Sequence, residues 1–120
     1  MVMPAYNAAR TLRQTCAEMR RGLVDDVRVV DDHSSDAAVP LARVLHLTTF
    51  VHLRNVGYRY KQKTCHREAL RRGADIVVTL HPDYQYSLRL VNAMARMIAC
   101  SGCDLVPGPL RKNGAPKEVI

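Results

Sequence analysis

Apolar and polar positions along the chain follow two periods in turn. Residues 1–5 form a short apolar stub that predicts a strand already under way at the first residue. Ala9, Leu12, Cys16, Met19 and Leu23 then recur every three or four positions, the spacing of one buried helix face. Residues 27–30 predict a second strand. Asp36 stands where a helix N-cap belongs, and Val39, Ala42 and Leu45 continue a short helix. Residues 48–53 are rich in β-branched side chains and predict a third strand, with Asn55 and Gly57 supplying the turn after it. A helix is expected over 61–72, closed by Gly73. DIVVTL, residues 75–80, reads as the most buried strand. Leu88, Val91, Met94, Ala95 and Ile98 form a further helical stripe ending near Gly102, and residues 104–106 predict a fifth strand before a Pro/Gly-rich tail. Strand–helix–strand repetition implies a mostly parallel sheet with helices on its faces, an α/β/α sandwich. Residues 1–120 read as one domain without internal repeats.

Parallel strands place all their carboxyl ends on one edge, and ligands of such sheets bind there. The residues just past the first four expected strands are Tyr6-Asn7, Asp31-Asp32, Asn55-Gly57 and His81-Pro82-Asp83. In VVDDHSSD, residues 29–36, a buried-type run delivers two adjacent carboxylates where a strand should stop. The same pair would also serve a plain polar turn and cap. His81 and Asp83 are two apart, so in an extended segment they point the same way. A carboxylate and an imidazole beside a diphosphate suit a divalent cation, magnesium or manganese, that draws its remaining ligands from phosphate oxygens. Pro82 equally allows a simple strand-ending turn.

A net charge of +7, mostly from arginine, admits nucleotides, anionic lipid surfaces and nucleic acid as partners. The basic residues are spread along the chain, and one Phe with five Tyr offers little stacking surface, which disfavours nucleic acid. No apolar run approaches the ~20 residues of a membrane span, and the N-terminus lacks a signal-peptide pattern, so a cytoplasmic protein is expected. Cys100 and Cys103 lack a second ligand pair for zinc and fall where a helix should end, so plain reduced thiols are expected. His46, His52 and His66 show no partner pattern and read as surface or packing residues. Gly-x-Ser-x-Gly, Gly-x-Gly-x-x-Gly and Walker A sequences are absent, which argues against serine hydrolases, dinucleotide dehydrogenases and P-loop NTPases.

Taken together and in order, MPAYNAA, VVDDHSSD, RNVG and DIVVTLHPDYQ resemble the family 2 glycosyltransferases of the GT-A fold. Within that family they lean toward the dolichyl-phosphate mannose synthase-like and polysaccharide enzymes. The resemblance implies a Rossmann-like sheet that binds a nucleotide-sugar donor, UDP- or GDP-linked, at its carboxyl edge. Pro4, Ala5, Tyr6 and Asn7 match the stretch lining base and ribose, and Asp31 and Asp32 match the acidic pair that reads the base. Asn55, Gly57, Lys63, Pro82, Gln85 and Arg111 complete the implied donor site. His81-Pro82-Asp83 falls on the family's Asp-x-Asp motif, which makes Asp83 and His81 the implied holders of Mg²⁺ or Mn²⁺. This chain departs from the pattern where His81 replaces the first aspartate and where Leu110 replaces a phosphate-facing arginine, with Arg111 one position late. It departs again between Gly57 and Gly73, a stretch that reads as a longer loop whose residues 58–63 would reach over the donor.

The chain is thus expected to be the donor-binding half of a sugar transferase, truncated at both ends, with the catalytic base further along. Peripheral membrane contact in the full-length protein is compatible with such an enzyme. The alternative is a non-catalytic nucleotide- or phosphate-binding α/β module. A phosphoacceptor receiver domain would carry its acidic pair after the first strand, not the second, and is discounted.

Overall fold

The structure, a computed structural model, describes residues 1–19, 22–83 and 87–107. Strands β1 (Val2–Ala5), β2 (Arg28–Asp31) and β3 (Thr48–Val51) form one parallel sheet in the order β1-β2-β3. Helices α1 (Ala9–Ala17), α2 (Ala38–Val44), α3 (Tyr58–Arg71) and α4 (Val91–Ala99) flank it, and a 3₁₀ turn at Leu88–Leu90 leads into α4.

The pleat sorts the strand residues into two cores. Met3, Ala5 and Val29 face Ala8, Leu12, Ala42, Leu80, Leu88 and Val91. Val2 and Val30 face Cys65 and Ala69 of α3. The expected α/β/α layering is therefore present, with α3 alone on one face. Residues 27–30, 48–53 and 61–72 fold as strand, strand and helix as anticipated, shifted at their ends by one to three positions.

Three expectations require correction. The apolar stripe from Ala9 to Leu23 is helical only to Ala17. Met19 and Leu23 still pack against the core, so burial continues after the helix stops. Residues 104–107 lie in no strand. Residues 75–80 make a single parallel bridge, Val2 with Thr79, instead of a full strand.

Two prolines account for that short ladder. The Val2 amide donates to the Val78 carbonyl (2.8 Å) and the Leu80 amide to the Val2 carbonyl (3.0 Å). In a parallel ladder the next donors would be residues 4 and 82. Both are proline and have no N–H. Pairing therefore stops at Leu80, and the backbone between β1 and residues 81–83 is left unladdered at the carboxyl edge. Residues 78–80 lie on the side of β1 away from β2, so chain order reverses there. That reversal is the position where open α/β sheets bind ligands.

Leu12 is fully buried where α1 meets the sheet. Leu12→Ala should cost about 3 kcal/mol in urea unfolding, from lost transfer energy and the cavity left behind. Leu53→Ala, at a side chain that is 97% exposed, should change stability by less than about 0.5 kcal/mol.

Candidate functional site at the carboxyl edge

The ends of β1, β2 and β3 converge at this edge with residues 81–83, and hydrogen bonds tie β1 to β2 and β2 to β3 just past the strands. Asn7, at the end of β1, adopts a left-handed backbone (φ 49°), which Asn tolerates better than most residues. Its amide donates to Ser34 Oγ (2.9 Å), and its Oδ1 accepts from the Ser35 amide (2.9 Å). Ser34 in turn donates from both its amide and its hydroxyl to the Asp31 carboxylate, which is fully buried. Asp36 accepts from the Ala9 amide through Oδ2 and from the Ala38 amide through Oδ1, each at 2.9 Å. One carboxylate therefore caps the starts of both α1 and α2, where a negative charge also meets the positive helix ends. The expected cap is present, one residue ahead of the N-cap position and shared between two helices.

Asp31 and Asp32 are adjacent, so the pleat turns them to opposite faces. Asp32 points toward β3 and α3. Its Oδ1 accepts from the Val56 amide (2.9 Å) and from His52 Nδ1 (2.8 Å), and its Oδ2 accepts from the Gly57 amide (3.0 Å). Burial pushes the Asp32 carboxyl up, but the Val56 amide, His52 and the Gly57 amide outweigh it. Its pKa lies below the ordinary 3.8. His52 Nε2 is 3.0 Å from Thr64 Oγ1, so the imidazole bridges the end of β3 to α3. His52 is accordingly no idle surface residue, which corrects the sequence expectation. Gly57 has φ 83° and is the residue from which α3 springs; its amide also lies 3.1 Å from Asn55 Oδ1.

Residues 58–63 form the first turns of α3 and not a loop over the edge. Their side chains nevertheless reach it. Tyr58 stacks on the His81 ring, with centroids 5.7 Å apart and planes 11° from parallel. The Gln62 side-chain amide lies 3.1 Å from His81 Nε2 and can only donate, so that nitrogen accepts and is unprotonated. Burial, and to a smaller degree Lys61, pushes the His81 pKa below its usual value; Asp83 opposes them. Lys61 is 9% exposed and holds its ammonium 5.8 Å from the centre of the Tyr6 ring. Lys63 is exposed, and its ammonium lies over Tyr60 instead. The Pro82 carbonyl accepts from the Thr11 hydroxyl, which ties the fourth strand end to α1.

The structure thus gathers Pro4, Ala5, Tyr6, Asn7, Asp31, Asp32, Asn55, Gly57, His81, Pro82 and Asp83 along one edge, with Pro4 and Ala5 buried in β1 and Asp83 exposed. Lys63 is turned to another side of α3. Gln85 and Arg111 lie outside the described residues. Sequence reasoning missed the partnership of His52 with Asp32 and Thr64, and it read Tyr58, Lys61 and Gln62 as part of a loop over the donor where they stand on a helix. Two cavities of about 560 and 490 Å³ lie elsewhere, the first around the strand starts (Met1, Asp26, Arg28, Arg72, Asp75) and the second between α1 and the start of β3. Neither includes Asp32, His81 or Asp83. All four cysteines are free. Among the described residues no cluster of three or more His, Cys, Asp or Glu could hold a metal by itself, and no helix is long and apolar enough to cross a membrane.

A parallel α/β sheet with polar residues gathered beyond its strand ends, at a reversal of strand order, is the class of open α/β protein that takes its ligands at that edge. The sequence model of glycosyl transferase family 2 matches residues 1–117, and the chain belongs to that family. No curated protein and no solved structure matches the chain.

Asp32→Asn removes the charge that three donors share, and should cost about 2–3 kcal/mol at neutral pH. The folded pKa lies below 3.8, so the stability from this group is present above 3.8 and is lost as pH falls through the folded value. Unfolding free energies measured from about pH 6 to pH 2.5 should therefore show a shallower acid limb in Asp32→Asn than in the wild type.

Proposed function

We propose that this edge binds the donor of a sugar transfer, a UDP- or GDP-linked sugar, for delivery to an acceptor such as a lipid phosphate or a polysaccharide, on the cytoplasmic side. The observation that carries the reading is the convergence of Tyr6-Asn7, the Asp32–His52 pair and His81-Pro82-Asp83 at the unladdered reversal point, in a chain of this family.

Base and ribose lie against Tyr6, which is 50% exposed at the end of β1. Asp32 is buried and both its oxygens already accept from His52, Val56 and Gly57, so it offers the base little surface. Its larger contribution is positional, because it fixes Val56, Gly57 and the start of α3 beneath the nucleotide.

The residues at the diphosphate end suit a hard cation in a limited way. Asp83 supplies one exposed carboxylate, and magnesium or manganese commonly takes one or two carboxylates with the rest from phosphate and water. His81 Nε2 is engaged by Gln62, so the imidazole would ligate through that atom only by exchanging its partner. Asp83 is therefore the residue that would hold Mg²⁺ or Mn²⁺, which there would neutralise charge on the departing nucleoside diphosphate. His81, clamped by Tyr58 and Gln62, shapes the wall beside it.

Calorimetric titration of UDP and GDP with and without manganese tests this reading. The wild type should bind one of them at least about tenfold more tightly with the metal, and Asp83→Asn should lose that gain. His81→Asp, which adds a second carboxylate, should hold or raise magnesium-dependent binding. Equal binding by wild type and Asp83→Asn in manganese would reject the metal role. Binding of neither nucleotide by the folded wild type would reject the donor site.

A further inference from the structure

Charge at the start of α3 runs against the helix dipole. A helix N-terminus carries about half a positive charge and favours acidic residues. The first turn of α3 has none, and no side chain caps it. Its first six residues are Tyr58, Arg59, Tyr60, Lys61, Gln62 and Lys63, in which every charge is positive. The amides of Tyr58, Arg59 and Tyr60 precede the first intrahelical donor, Lys61 N to Gly57 O (3.1 Å), and have no partner among the described residues. Asp32 does not relieve them, because its oxygens are taken by Val56, Gly57 and His52, ahead of the helix.

Lys61 is the sharper anomaly. Helical side chains lean toward the N-terminus, which carries this one to the strand-end edge. It is nine-tenths buried, yet no carboxylate lies within ion-pair distance of it among the described residues; its recorded contact is the Tyr6 ring. Lysines are rarely so buried without a partner. A buried cation beside a positive helix end is unfavourable for folding alone, and such local conflicts concentrate at functional sites. The neighbouring His81 Nε2 lies 3.1 Å from the side-chain amide nitrogen of Gln62.

We infer that Lys61 and the unpaired first-turn amides of α3 form an anion site that takes the diphosphate of the donor directly, independently of a divalent cation. This rests on the donor reading above and names a residue for it. Amide N–H groups at a helix start already point outward at an anion, and a lysine adds a point charge. The site lies between Tyr6, where the nucleoside rests, and His81-Pro82-Asp83. It supplies positive charge at this edge without a metal.

Inorganic pyrophosphate in the presence of EDTA is the probe, titrated calorimetrically into the 120-residue chain. The wild type should bind it, and Lys61→Met, which keeps the buried stem, should weaken binding about tenfold or more. Lys61→Arg should recover part of the loss. Arg67→Met, which removes equal charge from an exposed position of α3, should change it less than about threefold. Urea unfolding of Lys61→Met, measured beside the titration, should give a midpoint close to the wild type's, since the methionine keeps the buried stem, so weakened binding will not be a folding defect. Absence of metal-free binding by the wild type, or equal losses in Lys61→Met and Arg67→Met, would overturn the anion site. UDP or GDP binding that still depends on Asp83 and manganese would then leave the donor reading standing. Conversely, Lys61-dependent pyrophosphate binding with no added affinity for UDP or GDP would keep the anion site and reject the nucleotide.

Discussion

The strand-end edge depends on one buried carboxylate. Asp32 is 1% exposed and holds three groups from two segments: the imidazole at the end of β3 and two successive amides of the turn into α3. A buried aspartate without donors would cost several kcal/mol, so each of these bonds is close to obligatory. Because α3 begins at the second of the two amides, its position relative to β2 follows from that carboxylate. Tyr58, Lys61 and Gln62 are carried with the helix to Tyr6 and His81. Asp31 and Asp36 do the same on the other face, joining β1, α1 and α2 through Asn7 and Ser34.

Backbone chemistry decides where the edge opens. Pro4 and Pro82 fall on the positions that would extend the ladder between β1 and residues 78–80, and neither can donate. The sheet remains continuous through Leu80 and parts beyond it. Carboxylates then lie around the opening while basic residues crowd the start of α3. In a chain of net charge +7, this local arrangement is more informative than the total. Asp32 serves geometry, Asp83 is exposed to solvent, and Lys61 is a largely buried lysine with no carboxylate within ion-pair distance among the described residues.

Much of this was legible in the sequence. The apolar periods locate β1, β2, β3 and α3, and parallel topology alone brings Asn7, Asp32, Gly57 and Asp83 to one edge. Partnerships across long separations were not legible. His52 shows no spacing pattern because its partners, Asp32 and Thr64, are 20 and 12 residues away. Reading residues 58–63 as a loop followed from the length of the stretch between Gly57 and Gly73 relative to the mannose synthase-like pattern. The helix instead begins there because Gly57 turns the chain and Asp32 holds its amide. That reading also favoured Lys63 over Lys61, although only the latter leans onto Tyr6. The DIVVTL run misled in the other direction: its residues are apolar enough for a full strand, but hydrogen bonding depends on the partner strand's proline as well. The wrong-signed charge of the first turn of α3 was visible all along, once the start of the helix is known.

On the proposed reading a nucleotide binds beyond the strand ends and not in the cavity of about 560 Å³ around the strand starts. Backbone amide shifts of the ¹⁵N-labelled chain, followed while UDP or GDP is added with magnesium, test it most directly. The largest changes should fall on Tyr6, Asn7, Val56, Gly57 and Tyr58–Tyr60, with little change at Asp25, Asp26, Gly73 and Asp75. Changes concentrated on the second group, with the first unmoved, would contradict it.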